Sequence, residues 1–232
     1  MKWEELPRLE TISNRLSTEL INNNVTVTNI AFGMNLYKNA IKKDECLKIV
    51  NSLELELSSG IPEIFWHTGK VNDGEELEQV RHCTTLVYKK EDLGKSIPFS
   101  QVLYDVHDSI EKSLDNCLDH YGTKWHLKTD YKESLHLIKY LPGNFFKLHA
   151  DSGPYYPSTI SAIFFLNDDY EGGELYFPRQ DLTIKPSAGD ILLFPSIFIY
   201  EHAVLNVLSG IKYSGVILND YVGNHKEDIE NV

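Results

Sequence analysis

The stretch Leu135-His-Leu-Ile-Lys-Tyr140-Leu-Pro-Gly143-Asn-Phe-Phe146-Lys-Leu-His149-Ala-Asp151 carries the pattern that decides the architecture. Two short apolar runs, Leu135 to Leu141 and Phe145 to His149, flank a Pro-Gly turn. Runs of this length around such a turn predict two strands joined by a tight connection. The texture continues downstream through Thr159 to Leu166, Glu174 to Phe177, Leu182 to Lys185, Ile191 to Phe194, Tyr200 to Val204 and Ile211 to Leu218. Between them lie turn clusters such as Asn167-Asp168-Asp169, Gly172-Gly173 and Ala188-Gly189-Asp190. Short strands at this spacing predict a double-sheet β structure, a jelly roll.

Working outward, the upstream half reads differently. From Lys42 to Leu57, the residues Cys46, Leu47, Ile49, Val50, Leu53 and Leu57 fall on one face of a helix, with Asp44 in its first turn. A second helix is predicted from about Phe99 to Tyr121, where Val102, Val106, Ile110, Leu114, Cys117 and Leu118 recur three or four apart and Gly122 stops it. Strands are expected at Phe32 to Tyr37 and Thr84 to Tyr88. The fold class is therefore α+β, with N-terminal helices buttressing one sheet. Residues 1–30 read as a loosely structured N-terminal extension, and 31–232 as one domain whose chemistry lies in 133–220.

Composition narrows the function classes. A chain of 232 residues with 42% apolar and 24% charged residues is an ordinary globular sequence. Its formal charge of −12 opposes nucleic acid and anionic membranes as partners. No apolar run reaches the roughly 20 residues of a membrane helix. The opening MKWEELPRLE lacks the apolar core of a secretory signal. A cytoplasmic location is expected. Cys46, Cys83 and Cys117 are odd in number and widely spaced, so they read as buried thiols rather than a disulfide framework.

His149 and Asp151 lie two apart, and residues i and i+2 of a strand share a face. One imidazole and one carboxylate can then meet one ion, and His202, on a later strand, is the best third ligand. Two histidines and a carboxylate leave coordination positions open, which suits non-haem iron(II). The same donors suit zinc. Lys212 follows His202 by ten residues. A hairpin near Ser209-Gly210 would fold its strand back beside that of His202 and aim the ammonium into the same cavity. A buried ammonium needs an anion, and the far carboxylate of a keto acid chelating the metal is a fitting one. The Tyr140 hydroxyl can donate to such a carboxylate.

Together these residues resemble the prolyl 4-hydroxylase-like branch of the Fe(II)/2-oxoglutarate-dependent dioxygenases. The resemblance rests on Tyr140-x-x-Gly143-x-x-Phe146-x-x-His149-x-Asp151, then Leu166-Asn167, Gly172-Gly173-Glu174, Phe177, Pro186, Gly189-Asp190 and Phe194. It ends on His202, Val207, Gly210 and Lys212. It implies a double-stranded β-helix (a cupin-like jelly roll). His149, Asp151 and His202 then form the metal and catalytic centre, and Lys212 and Tyr140 bind 2-oxoglutarate. It also implies O2 as co-substrate, with ascorbate as an accessory reductant. The implied reaction hydroxylates a C–H bond, foremost on peptidyl proline, and releases succinate and CO2.

The chain departs from the branch where Ser158 replaces an arginine associated with handling the peptide substrate. Phe165 likewise replaces a tyrosine, and Tyr213 a tryptophan. These departures leave open a lysyl residue, a free amino acid or another small metabolite as substrate, and also a non-catalytic binding module. Tyr155, Tyr156 and Ser158, which follow a metal ligand directly, are candidate substrate contacts. His136 shares a face with Ile138 and Tyr140 and is expected to be structural.

Overall fold

Every residue of the strand Ile160–Phe165 is buried, because this six-residue run is covered on both faces. Ile160, Ala162 and Phe164 pack toward two helices, while Ile163 and Phe165 pack toward a second sheet. An uninterrupted apolar run suits such a strand better than alternation does. The rest of the molecule is arranged around it.

The computed structural model describes residues 18–21, 24–58, 66–71, 75–93, 100–153 and 157–225. In chain order these form β1 (Thr18–Leu20), β2 (Thr26–Ala31), β3 (Met34–Lys38), helix α1 (Lys43–Ser58), β4 (His67–Thr68), β5 (Arg81–His82), β6 (Thr84–Tyr88) and helix α2 (Ser100–Trp125). There follow β7 (Tyr131–Lys132), β8 (Leu135–Tyr140), β9 (Phe145–His149), β10 (Ile160–Phe165), β11 (Glu171–Gly172), β12 (Leu175–Phe177), β13 (Leu182–Ile184), β14 (Ile191–Pro195), β15 (His202–Val204), β16 (Val207–Ser209) and β17 (Lys212–Asp220).

The major sheet runs β1-β2-β3-β14-β10-β17-β8-β6-β4, with β7 also on β17. The minor sheet runs β13-β12-β15-β9-β5, and β11 pairs with β16. Pairing is antiparallel throughout these sheets. Two antiparallel sheets face to face, with helices behind the larger, make the expected jelly roll. One core lies between the helices and the major sheet, built from Tyr37, Ile49, Leu53, Ile110, Leu114 and Phe164. The second lies between the sheets, built from Ile138, Tyr140, Ile163, Phe165, Phe177 and Phe194. Each fully buried large side chain of this kind contributes about 1.5–3 kcal/mol.

Several expectations change. Within the 1–30 segment expected to lead loosely into the domain, the described residues form β1 and most of β2, which extend the major sheet through β3. Phe32 lies in the β2–β3 turn rather than in a strand. In α1, Cys46, Ile49 and Leu53 are buried but Leu47 is exposed; one residue past Cys46 is a turn of about 100° off the apolar stripe. Phe99 and the side chain of Leu57 lie outside the described residues. Gly122 does not stop α2, which continues to Trp125. The stop is His126, at φ 55°, with Leu127 N–H donating to Gly122 O at 3.0 Å. That is the bond of a left-handed helix terminus, reached four residues later than the glycine suggested. Cys46, Cys83 and Cys117 are buried free thiols. Among the described residues no helix is long and apolar enough to cross a membrane.

Candidate metal centre

β9 and β15 are neighbours in the minor sheet, and their register sets His149 directly opposite His202. β9 ends at His149, and the chain bends at Asp151, whose carboxylate comes near both rings. His149 Nε2 lies 3.5 Å from Asp151 Oδ1, and His202 Nε2 lies 4.0 Å from Oδ2. Two bonds of about 2.1 Å to one ion span at most about 4.2 Å, so these separations fit a shared ion. One ligand atom from each residue lies within 4.8 Å of the others.

The remaining ring nitrogens explain why Nε2 is the free one. His149 Nδ1 meets Lys147 O at 2.8 Å, and His202 Nδ1 meets Tyr200 O at 3.2 Å. A backbone carbonyl accepts only from N–H, so both imidazoles carry the proton on Nδ1 and offer the Nε2 lone pair inward. His149 stacks on Phe146 at 3.6 Å, and His202 on Phe177 at 5.2 Å. Ser161 Oγ donates to Asp151 Oδ2 at 2.5 Å. Burial works to raise the Asp151 pKa, but His202, His149 and Ser161 outweigh it and hold the carboxyl well below its usual range. Burial pushes His202 down to about 4. At neutral pH His202 is therefore a neutral imidazole and Asp151 a carboxylate, the forms in which each can bind a divalent cation.

The triad opens into a cavity of about 760 Å³ whose wall includes Tyr140, Ile163, Leu175, Lys212 and Ser214. Lys212 is 1% exposed. Its Nζ donates to Gly173 O at 2.6 Å and lies 5.4–5.8 Å from the rings of Tyr140, Phe165 and Tyr170. Among the described residues it forms no ion pair with a carboxylate. Burial pushes it down to about 7, and burial likewise raises the Tyr140 phenol well above its usual range. Lys212 and Tyr140 are register partners on β17 and β8. The expected hairpin is corrected here. The strand after Gly210 does not return beside β15 but crosses to the major sheet, between β8 and β10. Gly210 turns at φ 75°, its Cα packed so closely that a Cβ would lie 2.8 Å from Asp169 O. Lys212 thus faces the triad from the opposite wall, where an anion bridging metal and ammonium has room.

Other residues sit where the sequence did not indicate. Tyr155 and Tyr156 lie outside the described residues. Ser158 does not face the cavity; it is buried, with Oγ 2.9 Å from Ser196 Oγ. His136, expected to be structural, lines the cavity, as does Arg81. Ser161 had a readable signal, a lone hydroxyl in the apolar run of β10. Arg81 had none, because its segment mixes turns and charges without a period.

Comparison with known proteins bears on the same region. Residues 135–217 match the 2OG-Fe(II) oxygenase superfamily. Prolyl 4-hydroxylase 1 of Arabidopsis thaliana is 30% identical over an alignment covering 35% of this chain and 38% of that protein. A PKHD-type hydroxylase of Crocosphaera subtropica is 34% identical over 34% of this chain and 39% of its own. The chain thus spans well under half the length of these curated relatives. Among solved structures, a prolyl hydroxylase from Trichoplax adhaerens, in complex with a hypoxia inducible factor peptide, superposes with TM-score 0.64 at 14% identity. That likeness covers 81% of this chain and 83% of the other. A Pseudomonas putida prolyl-4-hydroxylase gives TM-score 0.57 at 15% identity, covering 82% and 92%. Both share the fold.

Proposed function

We propose that this chain, related through residues 135–217 to the 2OG-Fe(II) oxygenase superfamily, is an Fe(II)- and 2-oxoglutarate-dependent dioxygenase that hydroxylates a C–H bond, foremost on peptidyl proline. One observation carries the reading. His149, Asp151 and His202 converge on one wall of a cavity whose opposite wall holds a buried Lys212, without a carboxylate partner among the described residues. Zinc alone would use the first half of that arrangement and leave the ammonium unexplained.

When bound, iron and the keto acid supply the oxidising chemistry, in which 2-oxoglutarate and O2 yield succinate, CO2 and one oxygen atom inserted into the substrate. The protein's part is orientation. His149 and His202 present fixed tautomers, and Asp151 is aimed by Ser161. Lys212 pairs with the far carboxylate, and Tyr140, in register beside it, donates to the same carboxylate. Ile163, Leu175 and Val204 keep the cavity wall apolar around these groups, which strengthens each ion pair by excluding water.

The test is anaerobic loading with iron(II) followed by 2-oxoglutarate titration. A visible charge-transfer band is expected, absent in His149→Ala and strongly weakened in Lys212→Ala. On admitting O2, succinate release should match a one-oxygen mass gain on a proline peptide. Without the band, the reading fails; a band with turnover of a metabolite but of no proline peptide moves the substrate and keeps the chemistry.

A further inference from the structure

The cavity wall is basic in an acidic chain. The formal charge is −12, yet among the described residues the lining carries Lys70, Arg81 and Lys212 against one carboxylate, Asp151. Iron(II) with Asp151, and Lys212 with a doubly negative keto acid, balance one another. Arg81 and Lys70 are left over, and nothing assigned so far uses them.

Arg81 is only 9% exposed. Its Nη1 donates to Lys70 O at 2.7 Å, its Nε donates to Cys83 Sγ at 3.3 Å, and its Cζ rests 4.7 Å over the Phe146 ring. Nη2 has no acceptor and the guanidinium has no carboxylate among the described residues. A guanidinium buried to this degree without an anion is costly, and its planar fork matches a carboxylate. The place is built for it. A Cβ on Gly69 would lie 2.8 Å from Arg81 Nε and 2.7 Å from Cys83 Sγ, so only glycine leaves the guanidinium its room.

His136 lines the same cavity without a hydrogen-bond partner among the described residues. Burial, then the Arg81 charge, push it down to about 4, so the ring is neutral and keeps one N–H to donate. It stands two cavity-facing positions along β8 from Tyr140, about 13 Å by strand rise, beyond the reach of the keto acid's far end.

We propose that Arg81 of β5, with His136 of β8 lining the same cavity from the facing sheet, forms an anion subsite that selects substrates bearing a carboxylate. The inference rests on the oxygenase reading above and narrows its substrate class. The carboxylate belongs either to a free amino or imino acid, or to an acidic side chain or C-terminus of a peptide.

The experiment begins with protein loaded anaerobically with iron(II) and 2-oxoglutarate. Absence of the charge-transfer band overturns both readings; its presence leaves the oxygenase reading standing whatever follows. Loaded protein is then titrated with matched pairs, followed by calorimetry and by perturbation of the band. One pair is L-proline and L-prolinamide, and the other is Gly-Pro-Glu and amidated Gly-Pro-Gln. The acid of at least one pair should bind about tenfold or more tightly than its amide. The first pair responding assigns a free acid, the second a peptide carboxylate. Arg81→Gln should erase the preference, and Arg81→Lys should keep part of it. Gly69→Ala, which crowds the guanidinium, should lower it and serves alone if Arg81→Gln does not fold. Acid and amide indistinguishable in every pair overturns the subsite. So does an Arg81→Gln protein that loses 2-oxoglutarate affinity while keeping the acid preference, because the guanidinium would then serve the co-substrate.

Discussion

Asp151 has two oxygens, and its neighbours decide which one is left for an ion. Oδ2 accepts the Ser161 hydroxyl at 2.5 Å, Ser161 Oγ lies 2.9 Å from Ser196 Oγ, and Ser196 Oγ lies 2.9 Å from Ser158 Oγ. This line of buried hydroxyls pins one side of the carboxylate and leaves Oδ1 toward His149. Outer groups of this kind are worth about 10- to 100-fold in metal affinity. Ser161→Ala should therefore weaken iron(II) binding by that factor in a metal titration, and Ser161→Thr should restore most of it. An unchanged titration would remove Ser161 from the site. Lys212 gives a second prediction at this scale. Burial has moved its pKa from 10.5 to about 7, so the unfolded chain keeps its proton to much higher pH than the folded one. The burial penalty is full below about pH 7 and shrinks as pH rises toward the unfolded value. A bound carboxylate reverses this by holding the proton on. Affinity for 2-oxoglutarate should accordingly fall as pH rises through about 7, with close to one proton taken up on binding at about pH 8. Calorimetry in two buffers of different ionisation enthalpy reads that proton directly, and no uptake there would mean that Lys212 is not the partner.

At the scale of elements, the end of α2 shows how a rule can be right about chemistry and wrong about place. Gly122 reads as a helix stop, but its role is close approach: a Cβ there would lie 2.4 Å from Leu127 O, the residue whose N–H closes the helix. Alanine is worth about 1 kcal/mol over glycine in an exposed helix interior. Gly122→Ala should nevertheless destabilise, because backbone must move; urea unfolding should show a lower midpoint with an unchanged slope. A stabilised variant would mean that the Leu127 turn yields easily. Strands were legible for a simple reason. The central strands of the major sheet, β10 and β14, bury both faces, so runs such as Ile191 to Phe194 stand out against polar turns. The pairing of those strands was not legible. Two-residue pieces such as β5 and β11 are too short to show a period, and Gly210 carries no mark that β17 belongs to the sheet opposite β15. The candidate metal ligands and Lys212 could be named from their spacing together with the family resemblance, whereas Arg81 and His136 are brought to the cavity by pairings that local sequence does not encode.

In the whole molecule, the working groups are divided between the two sheets. His149 and His202 stand on β9 and β15 of the minor sheet, and Tyr140 and Lys212 on β8 and β17 of the major one. Apolar contacts such as those around Phe165, Phe177 and Phe194 hold the sheets together, but the cavity interrupts that layer. A metal alone ties together three side chains of the minor-sheet side. A keto acid chelated to that metal and paired with Lys212 ties one sheet to the other. The two ligands should therefore stabilise unequally and in order. A ligand at about 100 times its Kd adds roughly 2.7 kcal/mol to folding stability, which for a chain of this size corresponds to about 5–10 °C in Tm. Anaerobic thermal unfolding should show a modest rise with manganese(II) or iron(II) and a further rise of that order when 2-oxoglutarate is added. With 2-oxoglutarate but no metal, the rise should be small, because the ammonium then holds the acid by one end. Lys212→Met should keep the metal step and lose the second. It should also not fall below the wild type in the absence of ligand, since methionine fills the site without a buried charge. His149→Ala should lose both steps. A second rise that survives in Lys212→Met would mean that the keto acid does not bridge the sheets.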